Sequence, residues 1–252
     1  MELNNTVVCI TGGASGLGLE TAALLSRKGA RVAILDLSEA ASSKLGPEFK
    51  GVSVRCDVTD SASIEAAIAN IKQQLGLPRV CINCAGILLG ERVLGKTGPH
   101  DLERFRRIIE VNLIGTFNVT RLMLKEMVTL DPLHETGERA VIINTSSIAA
   151  FEGQLGQAAY GASKGGVASL VLPIAREMAP YAIRVMGIAP GLFDTPMADK
   201  MNPAAKAQLI EKTVFPKRLG QPYEFAILAA HIIENPMLNG STIRLDGAVR
   251  LF

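Results

Sequence analysis

The chain has 252 residues, 48% of them hydrophobic, and a formal net charge of +2. That length supports one large core, the charge is too small to argue for a nucleic-acid partner, and no apolar run reaches the roughly 18 residues that a membrane span needs. No Gly/Ser tract, charge block or repeat divides it, so one domain over residues 1–252 is expected.

The first apolar strand is expected from about Thr6, which leaves no room for a signal or transit segment and points to a soluble, cytoplasmic protein. Thr6–Ile10 runs into Thr11-Gly-Gly-Ala-Ser-Gly-Leu-Gly18, a helix over Leu19–Lys28 follows, Gly29 stops it, and Arg31–Leu35 reads as a second strand ending at Asp36. This is a βαβ unit. Further strands are expected at Gly51–Cys56, Arg79–Asn83, Ala140–Asn144, Ile183–Ile188 and Ser241–Leu245. Helices are expected at Ser61–Leu75 (capped by Asp60 or Ser61), Asp101–Met127, Gln157–Ala179 with a kink at Pro173, and Pro222–Ile233. Near-continuous apolar strands alternating with helices predict a doubly wound α/β (Rossmann) fold: a seven-stranded parallel sheet with helices on both faces.

Ligands in such sheets bind beyond the carboxyl ends of the strands. Gly12–Gly18, Asp36, Asp57, Asn83–Gly86, Ser147 and Pro190–Thr195 all fall just after a strand, which points to one composite site. Gly12, Gly16 and Gly18 let the backbone turn tightly beside a pyrophosphate at a helix N-terminus. Asp36 suits both ribose hydroxyls and repels a 2′-phosphate, favouring NAD over NADP; capping a Glu39–Leu45 helix is its alternative role. Asp57 is placed near the adenine or as a cap. Asn112, a polar amide within Val111–Gly115, bonds backbone or holds a water.

Tyr160 and Lys164 are four apart and share a helix face. At about 4 Å and an effective dielectric of about 20, an ammonium stabilises a phenolate by roughly 4 kcal/mol. That lowers the phenol pKa by at most about three pH units and makes Tyr160 a general acid/base. Cys81-Ile-Asn-Cys84 has metal-like spacing but no completing pair, so Cys9, Cys56, Cys81 and Cys84 are expected as small buried hydrophobes and no metal site is expected. The Arg104, Arg106 and Arg107 cluster is read as a solvated or subunit-facing helix face.

Assembled, these residues resemble the short-chain dehydrogenase/reductase family over essentially the whole chain: Thr11–Gly18, Asn83-Cys-Ala-Gly86, Asn112, Ser147, Tyr160-x-x-x-Lys164 and Pro190-Gly191 stand in order. Cys84 departs from the family's second Asn, a position that supports the strand rather than the chemistry. Ile142–Gly166, Leu172–Glu177, Ala189–Phe193 and Asn239–Arg250 resemble, more narrowly, the type-2 3-hydroxyacyl-CoA dehydrogenases, also called 17β-hydroxysteroid dehydrogenase type 10, with Asp194 in place of a small residue. The resemblance implies an NAD-dependent oxidoreductase of 3-hydroxyacyl-CoA esters, with hydroxysteroids or other secondary alcohols as the alternative substrates.

By the same resemblance Tyr160 is the acid/base, Ser147 holds the substrate oxygen, Lys164 binds the nicotinamide ribose, and Asn112 holds a proton-relaying water. The implied cofactor residues are Gly12, Ser15, Gly16, Leu17 and Gly18 in the first turn, then Asp36, Asp57 and Val58. Asn83, Ala85, Gly86, Tyr160, Lys164, Pro190, Gly191 and Thr195 complete them. Residues 193–215 are expected to form a substrate lid, in which Met197 and Met201 either line an acyl pocket or pack as an i, i+4 pair. Arg92 and Lys96 are candidates for the CoA phosphates. The family implies a homotetramer through the helices Asp101–Met127 and Gln157–Ala179.

Overall fold

A computed structural model describes residues 1–38, 45–46, 49, 51–199 and 201–250. The chain runs β1 (Val7–Thr11), α1 (Gly16–Arg27), β2 (Arg31–Asp36), β3 (Gly51–Arg55), α2 (Ser61–Gln74) and β4 (Val80–Asn83). A small antiparallel hairpin, β5 (Leu94–Gly95) and β6 (Gly98–Pro99), precedes α3 (Leu102–Ile109), a π-helical segment (Glu110–Ile114) and α4 (Gly115–Met127). Then come β7 (Ala140–Thr145), α5 (Ala158–Met178), β8 (Ile183–Pro190), α6 (Pro196–Asp199), α7 (Pro203–Lys212), α8 (Pro222–Glu234) and β9 (Thr242–Leu245).

Seven strands form one parallel sheet in the order β3-β2-β1-β4-β7-β8-β9. The apolar runs are continuous because both faces are buried, and alternate residues serve opposite cores. Val8, Ile10, Ile34, Ile82 and Ile143 point into a core with Leu25 of α1 and Phe225 and Ile232 of α8. Cys9, Leu35, Cys81 and Ile142 point the other way, against Ile64 and Ile71 of α2, Met123 of α4 and Val171 of α5. The strand order reverses between β1 and β4. That leaves a crevice beyond their carboxyl ends, bordered by the turn after β1 and the loop after β4.

The predicted elements are in place, with three refinements. α1 starts at Gly16 rather than Leu19, so the turn's last glycines lie inside the helix. Asp60, not Ser61, caps α2, its carboxylate accepting from Ala62 N at 3.0 Å. The expected Asp101–Met127 helix is capped by Asp101 but broken by the π-helical segment at Asn112. Helix α5 runs to Met178 with Pro173 inside it. Residues 39–44 of the alternative Glu39–Leu45 helix lie outside the described residues.

Candidate active site

Two clefts meet beyond the strand ends. The first is bordered by the glycine turn, Asp36, Asp57, Val58, Ala85 and Gly86. Side chains are barred from the turn by close approach: a Cβ on Gly12 would lie 2.6 Å from Ala85 N, and one on Gly18 would lie 2.4 Å from Gly12 O. Gly12 and Gly16 also have φ of 65° and 52°. Ser15 occupies the N-cap of α1 without a side-chain cap bond, so the helix start presents N–H groups to the cleft, as an anion site requires.

Asp36 stands at the end of β2 with its carboxylate fixed on two sides, accepting from Ala14 N at 3.0 Å and Ser38 N at 3.1 Å. Asp57 does not cap α2. Its Oδ1 accepts from Thr59 N (2.9 Å) and Thr59 Oγ1 (2.7 Å), and these bonds, helped by Arg107 and Arg55, hold its pKa below the usual carboxylate value. Asn83 is not a lining residue. It is 2% exposed, accepts from Thr11 Oγ1, and donates to Thr120 Oγ1 at 3.2 Å and Asn144 Oδ1 at 2.8 Å. The same Thr11 hydroxyl accepts from Ala85 N, so the Asn83 network sets the loop that does reach the cleft. Arg107, read from sequence as part of a helix-face cluster, borders the cleft beside Asp57. Arg104 pairs with Glu91 and Arg106 with Glu103. A helical spacing alone does not say which arginine meets the sheet end.

The second cleft holds Ser147, Tyr160 and Lys164, and shares Leu17, Cys84, Gly86, Thr195 and Met197 with the first. Ser147 follows β7 and caps a 3-10 turn, Ile148–Ala150, its Oγ accepting from Ala149 N at 3.1 Å. The Ser147 hydroxyl beside Tyr160 favours phenolate, but burial is the stronger influence and pushes the Tyr160 pKa up.

The expectation that Lys164 depresses the Tyr160 pKa is corrected here. Lys164 Nζ sits 5.9 Å from the Tyr160 ring centroid and donates to Thr145 O at 2.8 Å. The ammonium is thus anchored to the end of β7 rather than to the phenol oxygen. Burial lowers the Lys164 pKa from 10.5 to about 8.

Asn112 is fully buried and bonds backbone. Its Oδ1 accepts from Ile87 N (2.8 Å), and its Nδ2 donates to Ile87 O (2.9 Å) and Ser163 Oγ (3.1 Å). The π-helical turn places it so, a common device at functional sites. The loop after β4 is thereby tied to the residue before Lys164. A Cβ on Gly86 would lie 3.2 Å from Asn112 Oδ1 and 3.5 Å from Lys164 Nζ, so the three converge. Cys84, expected to serve the strand, lies just past β4 at the junction of the clefts; burial raises its pKa to about 11 and keeps it a thiol. Among the described residues no cluster of three or more His, Cys, Asp or Glu is arranged to hold a metal ion.

Pro190 and Gly191, at and just after the end of β8, line the second cleft with Met197 and Met201. Met201 falls beyond α6, so the two methionines are cleft lining and not a helical i, i+4 pair. The expected lid region carries α6 and α7, and Leu209 of α7 closes the apolar end. Arg92 and Lys96 are exposed on the hairpin and border neither cleft.

The sequence profile of the family described as short chain dehydrogenase matches residues 6–206. The chain is 50% identical to the human 3-hydroxyacyl-CoA dehydrogenase type-2 over 256 residues, covering 99% of this chain and 97% of that protein. It is 36% identical to the ipsdienol dehydrogenase of Ips pini, covering 99% of each. The crystal structure of a 3-hydroxyacyl-CoA dehydrogenase type-2 from Mycobacterium avium matches with a TM-score of 0.91 and 37% identity, over 100% of this chain and 99% of that one.

Proposed function

Because the chain belongs to the short-chain dehydrogenase family, we propose that it interconverts 3-hydroxyacyl-CoA and 3-oxoacyl-CoA esters with NAD as the hydride carrier. The family implies a nicotinamide cofactor, and the first cleft fits one: its glycine cradle excludes side chains and opens onto the N-terminus of α1. Gly12–Gly18 would hold the pyrophosphate and Asp36 the adenosine ribose. The Asp36 carboxylate supports NAD, since a 2′-phosphate there would meet a like charge. When bound, the nicotinamide supplies or accepts the hydride.

The protein's residues handle the substrate oxygen and its proton. Ser147 donates a hydrogen bond to that oxygen. Tyr160 gives it the hydroxyl proton during reduction and takes a proton from the alcohol during oxidation. With a pKa above the usual tyrosine value, Tyr160 is a poised proton donor at neutral pH, and oxidation gains as pH rises. Lys164 brings a buried ammonium to the Tyr160 ring, and Asn112 fixes the loop and helix that meet there. Met197, Met201, Leu209 and Phe193 offer an apolar, water-poor wall for an acyl chain.

The meeting of Ser147, Tyr160 and Lys164 in one cleft, where it joins the glycine-cradled cleft, carries the reaction class. The substrate class rests on the likeness to the human protein. Oxidation of NADH, and separately NADPH, with acetoacetyl-CoA tests both; turnover with NADH is expected. A second reading, a dehydrogenase of some other secondary alcohol, is favoured by the exposed positions of Arg92 and Lys96 and by the Ips pini relative. Activity confined to steroids or simple ketones would replace the first reading with this one. A homotetramer is proposed through α4 and α5, on which Phe117 and Leu172 are exposed; a solution mass other than that of four chains would refute it.

A further inference from the structure

The last described residues fold back over the second cleft. After β9, Gly247 and Ala248 have φ of 58° and 61°. This left-handed reversal is closed by Ala248 N donating to Asp246 Oδ1 (3.0 Å) and Val249 N to Asp246 O (3.2 Å). It turns the Val249 side chain inward, where it is 3% exposed and lines the substrate-side cleft.

Two guanidinium groups fix the Val249 carbonyl, Arg244 Nη2 at 3.1 Å and Arg250 Nη1 at 2.7 Å. Arg244 also donates to Asp246 Oδ2 at 2.7 Å and to Glu152 Oε1 at 2.6 Å. Glu152 lies just past the 3-10 turn that Ser147 caps, so the clamp joins the chain's tail to the segment carrying the substrate-binding hydroxyl. From the other side, Gly247 O accepts from Val214 N (3.1 Å) and Phe215 N (3.2 Å), just beyond α7. Val249 is therefore held between the lid and the catalytic segment, its own carbonyl pinned through Arg244 to Glu152 and that of Gly247 pinned by the lid.

We propose that Val249 is the wall that sets how long an acyl chain the cleft accepts, and that Arg244, Asp246 and Glu152 are positioning residues that hold it there. This rests on the acyl-CoA reading. An apolar pocket discriminates by about tenfold or more per methylene gained or lost, and a wall clamped by ion pairs keeps that discrimination where a mobile tail would not.

The test is the ratio of kcat/KM for 3-oxodecanoyl-CoA to that for acetoacetyl-CoA with NADH, which is insensitive to the fraction of each variant that folds. Val249→Ala should raise the long-to-short ratio about tenfold, and Val249→Phe should lower it by a similar factor. In a Glu152→Gln background, Val249→Ala should shift the ratio less than it does in the wild type, because the wall is already loosened. Ratios unchanged within about twofold in both Val249 variants would overturn the wall; strictly multiplicative effects in the double variant would overturn the clamp. Should the wild type reduce neither ester but turn over another ketone, the acyl-CoA reading fails by itself. The same ratio, taken between a short- and a long-chain member of that ketone class, then decides on Val249.

Discussion

Replacing Lys164 by methionine should make the protein more stable and inactive. Lys164 is 4% exposed, and burial lowers its pKa from 10.5 to about 8. At about 1.4 kcal/mol per pH unit, carrying the charge costs the fold about 3 kcal/mol at pH 7. The bond to Thr145 O returns about 1 kcal/mol of that when made and is lost in the variant. The net gain for Lys164→Met is about 2 kcal/mol, or a Tm higher by about 4–8 °C for a chain of this size.

The pH dependence identifies the cause. Below pH 8 Lys164 is protonated in both the folded and the unfolded chain, and the penalty is carried in full. Between pH 8 and 10.5 the folded protein has released the proton while the unfolded chain still binds it. The penalty fades across this window and is gone above it. Thermal melts of both proteins at pH 7, 8, 9 and 10 should therefore show the methionine variant's advantage shrinking with pH. A variant less stable than the wild type at pH 7, or an advantage constant from pH 7 to 10, would refute the reasoning.

Asp36→Ala removes the carboxylate beside the Ala14 amide and should raise the kcat/KM for NADPH relative to NADH at least about tenfold, since a close like-charge contact is worth several kcal/mol; steady-state kinetics with both nucleotides check it. Gly18→Ala would place a Cβ 2.4 Å from Gly12 O, and NADH binding followed by fluorescence should weaken more than about tenfold while Tm falls. Glu138→Ala leaves Arg184, paired at 2.6 Å and only 7% exposed, as an uncompensated buried cation. Urea denaturation should register a loss of about 3 kcal/mol.

The sheet was legible because its strands are buried on both faces. Val8-Cys-Ile and Val32-Ala-Ile-Leu are apolar at every position, and the turn glycines between them mark a close backbone approach that no other residue allows. Ser147, Tyr160 and Lys164 were legible for a similar reason: each stands just after an apolar strand or at helical spacing from the next. What escaped the sequence depends on register between distant segments. Asn83 lies level with Asn144 in the β4–β7 pairing, which turns its amide sideways into the sheet network and away from the cleft. The Lys164 anchor is a carbonyl nineteen positions earlier, within reach only because α5 packs over β7. The π-helical turn at Asn112 has an ordinary helical pattern; its partners, Ile87 and Ser163, come from two other elements. The tail clamp likewise joins residues 92 apart in sequence.

The central claim is that Tyr160 moves the proton at a site where the cofactor binds independently of it. The Tyr160→Phe variant keeps the ring and loses only the hydroxyl. Acetoacetyl-CoA reduction should fall about 10²–10⁴-fold, while the Kd for NADH, measured by fluorescence titration on the same preparation, stays within about threefold of the wild type. Turnover within tenfold of the wild type, or a loss of NADH affinity large enough to explain the lost rate, would contradict the account.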